Sequence, residues 1–454
     1  MRKPFSSAWS TSAGRWCSVA WARPSRRSLK ARSTTSVIDS SSTTSTGVFS
    51  SARPSSRGRP EPSTSRSSRS RFASCHGRAV AADSKPLRGA GRVEDTLNLL
   101  GHAARDVVRC VAALTGQDPE DVARDAGIPL LLESSLKVAL DTDWTDPKRK
   151  AQAVHKLMAQ LQKLLAYVQQ NLPKEAAQPP LQEPLEALQQ IIDQDLEPDP
   201  DDPKGRKKRI RRGVAKGRRV SVKDPDMAHG RKSRTKAFNG FKQHVLIDVD
   251  RRLVLACAVL PANRREHEAM PSLRGDLDRH DVAVGEVLVD RGYTTTAFAK
   301  IATERDWTVL SKPRQMPPNG GRFTKRDFIF NLRTRLVTCP AGESRPFAPG
   351  EQVRFGEETC AGCSLRKRCT ASPGGRSLNL SDDEVEQQRF LRLVKSKKGR
   401  SRLRDRVPVE HRLAHIRQKQ GDRARYLGAR ANLFDLRRTA AIVNLEVVQQ
   451  ALAA

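Results

Sequence analysis

The segment Val287-Leu288-Val289-Asp290-Arg291-Gly292-Tyr293 decides the fold. Three apolar residues stop at a carboxylate, and a glycine two places on lets the chain turn, so the run reads as a short buried strand with an acid at its end. A helical stretch near 296 to 304 and a strand from Trp307 to Leu310 follow it. Upstream, Phe241 to Asp248 and Leu253 to Val259 flank the turn Asp250-Arg251-Arg252, a hairpin signal, and Arg265 to His280 reads as a helix. Hairpin, helix, strand, helix and strand in that order specify an α/β layer with a mixed sheet. Its first strand lies far upstream, where Ala79-Val80-Ala81-Ala82 also runs into a carboxylate, Asp83, before the chain turns at Pro86 and Gly89 to Gly91.

Between the two strands the texture is helical. Residues 94 to 115 and 147 to 171 carry helical periodicity. In the second, Asp146 is placed as N-cap, Pro147 at the first position, and Val154, Leu157, Met158, Leu161, Leu165 and Val168 recur at three-to-four spacing until Pro173. That stripe is read as packing surface. Residues 193 to 203 are acidic and Pro-rich, and 204 to 219 hold ten Lys/Arg in sixteen positions, including Lys204 and Arg206, so the pair reads as an exposed linker. Its basic half is either a solvated run or a tracker of phosphates.

The 454 residues carry 83 Lys+Arg against 50 Asp+Glu, a net charge of +33, and 37% hydrophobic residues. A core of useful size can form, and the charge calls for an anionic partner, nucleic acid first. No run approaches the ~20 apolar residues that cross a bilayer. Residues 1 to 80 contain 23 Ser and 13 Arg but only the acids Asp39 and Glu61, a composition that builds no core. It suits either a disordered basic arm or translation out of frame from a G+C-rich gene. Secretion is not indicated, so the eight cysteines read as thiols or metal ligands.

Two-metal phosphodiester chemistry needs hard oxygen ligands that fix two divalent ions about 4 Å apart. Asp83 and Asp290, each ending a strand, face one cleft if their strands share a sheet; alone, each is as readily a turn or cap residue. Asp248 and Asp141 are rivals for the first acid. For the third, Arg406, Glu410 and Arg417 fall at helical spacing in a basic segment, with Pro408 tolerable only in a first turn. His229 and His244 read as structural histidines.

These residues resemble the DDE transposases of bacterial insertion sequences, whose third carboxylate lies in a Tyr-x2-Arg-x3-Glu-x6-Lys/Arg signature. The resemblance spans about 79 to 454 and rests on AVAADSKPLRGAGRVEDTLNLL (79–100), DPDMAHGRKSRTKAFNGFKQHVLID (224–248), LACAVLPANRREHEA (255–269), VLVDRGYTT (287–295) and the stretch from 402 to 446. It implies an RNase H-like mixed sheet flanked by helices, with a helical insertion after the first strand and a Cys-rich insertion before the final catalytic helix. Asp83, Asp290 and Glu410 would be the three carboxylates, holding two Mg(II) or Mn(II) ions. Arg231, Lys232, Lys236, Lys242, Arg291, Arg406 and Arg417 would lie along the DNA. Leu403 stands where the signature has Tyr, and residues 1 to 76 do not look like the helical DNA-binding region such proteins carry.

The implied organisation is a low-complexity segment (1–77), the first strand and turn (78–100), a helical insertion (101–192), an acidic then basic linker (193–223), the central core (224–312), the Cys-rich insertion (313–400) and C-terminal catalytic and basic helices (401–454). The implied activity is cleavage of double-stranded DNA at the element's ends and transfer of the freed strand to target DNA, by a homodimer assembled on DNA in the bacterial cytoplasm, at the nucleoid. A nuclease of the same fold without strand transfer, or an inactive DNA-binding relic or repressor of the element, is the alternative.

Cys339, Cys360, Cys363 and Cys369 are spaced C-x20-C-x2-C-x5-C among Pro, Gly and Arg. A segment so poor in core-forming residues gains folding free energy from a structural zinc, and Cys-x2-Cys is a usual half-site. Reduced thiols or a redox pair are the other readings. Cys17, Cys75, Cys110 and Cys257 are isolated and read as buried or incidental.

Overall fold

The computed structural model describes residues 77–200, 202, 207–233 and 235–453. Residues 1–76, with Cys17 and Cys75, and Lys204 and Arg206 of the basic run lie outside them.

The main sheet is built from β1 (Arg78–Arg88), β2 (Ala228–Arg231), β3 (Ala237–Asp248), β4 (Val254–Pro261), β5 (Val284–Val289) and β6 (Thr308–Leu310). Its order is β4-β3-β1-β5-β6, with β2 paired to the start of β3. The hairpin β3–β4 and the pairing of β3 with β1 are antiparallel, whereas β1 runs parallel to β5, and β5 parallel to β6. The register sets Ala82 beside Val289 on one edge of β1 and beside Leu246 on the other. Gly240, at φ 145°, sits where a Cβ would stand 2.2 Å from the carbonyl oxygen of Leu87, so the crossing of β3 over the end of β1 demands glycine.

Period-two alternation divides the buried side chains between two layers. Ala81, Leu87, Phe241, Val245 and Leu288 face helices α8 (Val407–Gln420) and α9 (Ala429–Leu452), meeting Val409, Leu413, Ile416, Leu436 and Val443. Val80, Ala82, Leu246, Val287 and Val289 face the other way, toward α4 (Met270–Arg279) and α5 (Thr296–Glu304), meeting Met270, Leu273, Leu277 and Phe298. The result is a mixed sheet flanked by helices.

Between β1 and β2 run α1 (Thr96–Thr115), α2 (Pro147–Asn171) and α3 (Gln182–Asp195), gathered around a core of their own that includes Leu100, Val107, Leu157, Leu161 and Leu188. Asp146 caps α2 as its sequence predicts, accepting from the backbone N–H groups of Lys148 and Arg149. The acidic and basic stretch after α3 corrects the reading of an exposed linker. Leu196–Pro198 and Lys208–Ile210 form an antiparallel ribbon, and the Arg218 guanidinium forks onto buried Asp195 at 2.7 and 2.6 Å. Part of the basic run is thereby committed to internal pairing, because a buried carboxylate without a partner would be costly.

The Cys-rich segment carries short strands β7 (Ile329–Asn331), β8 (Leu336–Thr338), β9 (Ser344–Pro346), β10 (Gln352–Arg354) and β11 (Ser377–Asn379), and a small core including Phe328, Phe330, Val337, Phe347 and Phe355. α6 (Glu384–Lys395) and α7 (Lys397–Arg404) then lead into α8. Lys325 and Arg314 hold this lobe to α6 through Glu384, at 2.6 Å, and through Asp383. Among the described residues no helix is long and apolar enough to cross a membrane.

Candidate active site

Parallel pairing of β1 with β5 decides the site. Because Ala82 and Val289 are register partners, Asp83 and Asp290 follow them on adjacent strands. β1 continues to Arg88, so Asp83 lies within the strand, paired with Val245, and not at its end as the apolar run suggested, whereas Asp290 directly follows the end of β5. Asp83 shares the face of Ala81, the side on which α8 packs. Pro408 lies in the first turn of α8, where a missing N–H costs nothing, and Arg406 is its N-cap residue. One helical turn on, Glu410 points back at Arg406.

Arg406 joins the carboxylates. Its Nη1 stands 2.8 Å from Asp83 Oδ2, and its Nη2 donates to Glu410 Oε1 at 2.7 Å. Burial pushes the Asp83 carboxyl above its ordinary value, and Arg406 pulls it back. Burial likewise disfavours the Arg406 cation, but the charges of Asp83, Glu410 and Asp290 outweigh it and hold the group above its ordinary value. A pocket of about 440 Å³ opens here, lined by Asp290, Glu410, Lys312, Arg400, Arg404 and Arg406 among others. Two acids amid four cations suit a phosphodiester, whose charge the cations offset. Leu403, in the signature's Tyr position, also lines it.

The donor chemistry of Asp83 and Glu410, two hard-oxygen carboxylates bridged by the Arg406 guanidinium, is of the kind a divalent ion takes. Among the described residues no three His, Cys, Asp or Glu groups already form a metal-holding set. The cation bridging Asp83 and Glu410 is Arg406, so a metal held by both would have to displace that guanidinium.

Beneath Asp83 lies a buried polar chain that the sequence did not announce. Ser84 Oγ donates to Glu266 Oε1 at 2.8 Å, and the hydroxyl of Tyr293 stands 2.7 Å from His244 Nδ1 with the rings edge to face. Tyr293 and His244 are both fully buried. The Tyr of Asp-Arg-Gly-Tyr therefore anchors the loop that presents Asp290. Burial first, then Lys242, pushes the His244 imidazole down to about 3. An unfolded histidine takes up its proton near 6.5, so the stability contributed by neutral His244 is complete above that pH and is lost as pH falls toward 3. At pH 5 the loss from this residue is about 2 kcal/mol. His244→Gln should lose correspondingly less between pH 7 and pH 5 in urea unfolding; equal losses in the two proteins would refute the assignment.

Lys85, on the same face of β1 as Asp83, was also missed. It is 8% exposed, its Nζ meets no partner among the described residues, and burial lowers it to about 8. Gln243, Gln420 and Asp435 form a further buried chain, at 2.7 and 2.6 Å, that fixes the far end of α8 to β3 and α9.

The remaining expected residues divide. Arg417 does not flank the carboxylates: it is exposed, two turns further along α8, and pairs with Asp422 at 2.5 Å, because the helix runs along β1 away from Asp83. Lys232 and Lys236 are exposed at the tip of the β2–β3 hairpin, closed by the Lys232 N–H to the Lys236 carbonyl, and Arg231 ends β2. Lys242 Nζ donates to the Arg264 carbonyl oxygen at 2.8 Å. Arg291 follows Asp290 in the loop after β5. The rivals fall away: Asp248 is buried as a turn residue accepting from the N–H groups of Asp250 and Arg251, and Asp141 follows a helical turn, Leu136–Ala139, with φ 37°. His229 is exposed beside Asn239.

A mixed sheet in this order, with helices on both faces, is compatible with an RNase H-like fold. Residues 338–449 match the family described as the transposase DDE domain. The sequence resemblance to DDE transposases is thus shown on the part of the chain that contains the cysteines, Arg406 and Glu410, while Asp83 and Asp290 lie upstream of the matched residues. That family implies a transposase or nuclease class of enzyme and a DNA substrate. A search of curated proteins finds no match.

Proposed function

We propose that this chain is a DDE-type transposase that binds the ends of a mobile element, hydrolyses the phosphodiester there, and joins the freed 3′ hydroxyl to target DNA. The observation that carries the reading is the convergence on Arg406 of two carboxylates more than three hundred residues apart in the chain, Asp83 and Glu410, with Asp290 beside them.

Asp83, Asp290 and Glu410 would hold Mg(II) or Mn(II), which when bound activates the attacking hydroxyl and stabilises the leaving oxygen. Arg406, released from Asp83, is placed to meet a phosphate oxygen, and Lys312, Arg400 and Arg404 offset the charge of the flanking backbone. Lys232 and Lys236 extend that positive path along double-stranded DNA, and two copies of the chain would pair the two ends. Tyr293, His244 and the Ser84–Glu266 contact keep the loop and strand that carry the acids in place.

The test uses the full chain with a plasmid bearing the element's ends. Nicking that requires Mg(II) or Mn(II), and joined products when pre-cleaved ends are offered with a target plasmid, are the expected results. Nicking without joining replaces the reading with a nuclease of this fold; DNA binding with no metal-dependent nicking replaces it with an inactive relic or repressor.

A further inference from the structure

The chain brings Cys339, Cys360, Cys363 and Cys369 to the wall of one cavity of about 280 Å³. Each thiol is delivered by a closed turn. Cys339 heads the β8–β9 hairpin loop, where the Gly342 N–H returns to its carbonyl oxygen at 2.9 Å and its own N–H donates to Glu343 at 2.7 Å. Cys360 and Cys363 bracket a turn closed by the Cys363 N–H to the Cys360 carbonyl, and Cys369 ends the single helical turn Arg366–Cys369. All four are free thiols.

Three features of the cavity point to what fills it. The Arg376 N–H donates to Cys360 Sγ at 3.4 Å, a contact that strengthens when the sulfur is an anionic thiolate. Arg376 Nε is buried at the same wall without a partner among the described residues, and Arg366 lines it too. Two guanidiniums thus stand at the wall that carries the four thiols, with Glu343 the one carboxylate among the residues lining it. The third feature is the lobe itself. Its strands β7 to β11 are three residues each, and its core is a small cluster of Phe, Val and Leu side chains with Cys360, a scale at which a crosslink or metal is usually needed to hold a fold.

We infer that these four cysteines bind one structural zinc ion that holds the lobe closed. The thiols do not yet form a ligand set, so binding draws side chains inward on turns already placed. Four S–H bonds are exchanged for four Zn–S bonds and the protons pass to solvent, leaving a centre of net charge −2 that Arg376 and Arg366 offset. The lobe stands between Asp290 and Glu410 in the chain and is tied to α6, so the ion would steady the approach of α7 and α8 without touching substrate.

The experiment reads metal, not DNA cleavage, and so stands or fails apart from the proposed activity. The full chain, purified under reducing conditions, is measured for zinc, then stripped with chelator and titrated with Co(II). One zinc per chain, and cobalt spectra with thiolate charge-transfer and tetrahedral bands, are expected. Cys363→Ser and Cys369→Ser should each lose most of the zinc, and Cys110→Ser should keep it. Chelation of the wild type should open the 313–380 region to protease, and added zinc should close it again, a readout that survives if the serine variants fail to fold. No zinc with no thiolate–cobalt bands, a disulfide among the four, or an iron–sulfur absorption in their place would overturn the inference.

Discussion

Asp290→Ala is expected to lower metal-dependent nicking about 1000-fold or more, corresponding to about 4 kcal/mol of barrier, while DNA affinity changes by less than about threefold. Affinity and cleavage separate because they draw on different groups. Binding of a chain with net charge +33 is dominated by counterion release from phosphates facing Lys and Arg, and Asp290 contributes nothing to that. On the proposed reading, cleavage would depend on the carboxylate oxygens of Asp83, Asp290 and Glu410. The measurement pairs a nicking assay with a binding titration at one salt concentration. Parallel loss of both in Asp290→Ala would mean that the residue shapes the DNA surface or the fold and is no ligand.

Arg406→Ala separates metal binding from catalysis in the opposite direction. The guanidinium is bridged between Asp83 and Glu410, so it competes with any cation that approaches them. Its removal should tighten Mn(II) binding to the DNA-free protein about tenfold, roughly 1.4 kcal/mol, because two carboxylates lose the partner that now neutralises them. Nicking at saturating metal should nevertheless fall on the order of 100-fold, since a charge-assisted contact to the phosphate is gone. Mn(II) titration followed by electron paramagnetic resonance, beside the nicking assay, distinguishes the two effects. Unchanged metal affinity with normal nicking would show that the bridge has no part in either.

What the sequence made legible follows from the range of the forces involved. The strand end at Asp290 could be read because an apolar run broken by a carboxylate is a local pattern, and α2 because its cap, first-turn proline and stripe are local as well. The same rule ended β1 too early, at Asp83, because Ser84 to Arg88 are held in the strand by pairing with distant β3. That the two strands are adjacent and parallel is a long-range fact. Only the family resemblance pointed to it, and only the register of Ala82 with Val289 displays it. Lys85, Glu266 and the His244–Tyr293 pair escaped notice for the same reason: each matters through a neighbour far away in the chain. Lys312, Arg400 and Arg404 were hidden among many similar cations, although the run from Lys397 to Arg406 held a usable clue. Arg417 was misplaced because equal angular position on a helix says nothing of how far along the partner strand the helix has travelled. The linker was misread because local charge density conceals which arginine meets a buried acid.

The central strand enters the sheet first in sequence and finds its partners last. β1 must wait for β3 to emerge before it can pair on one edge, for β5 before it can pair on the other, and for α8 before its acid meets Arg406. On the ribosome, chain growth therefore outpaces assembly of the centre, and an unfinished polypeptide ending before α8 lacks Glu410. On the proposed function, a product terminated there would lack the third carboxylate and so be unable to cleave, for that topological reason.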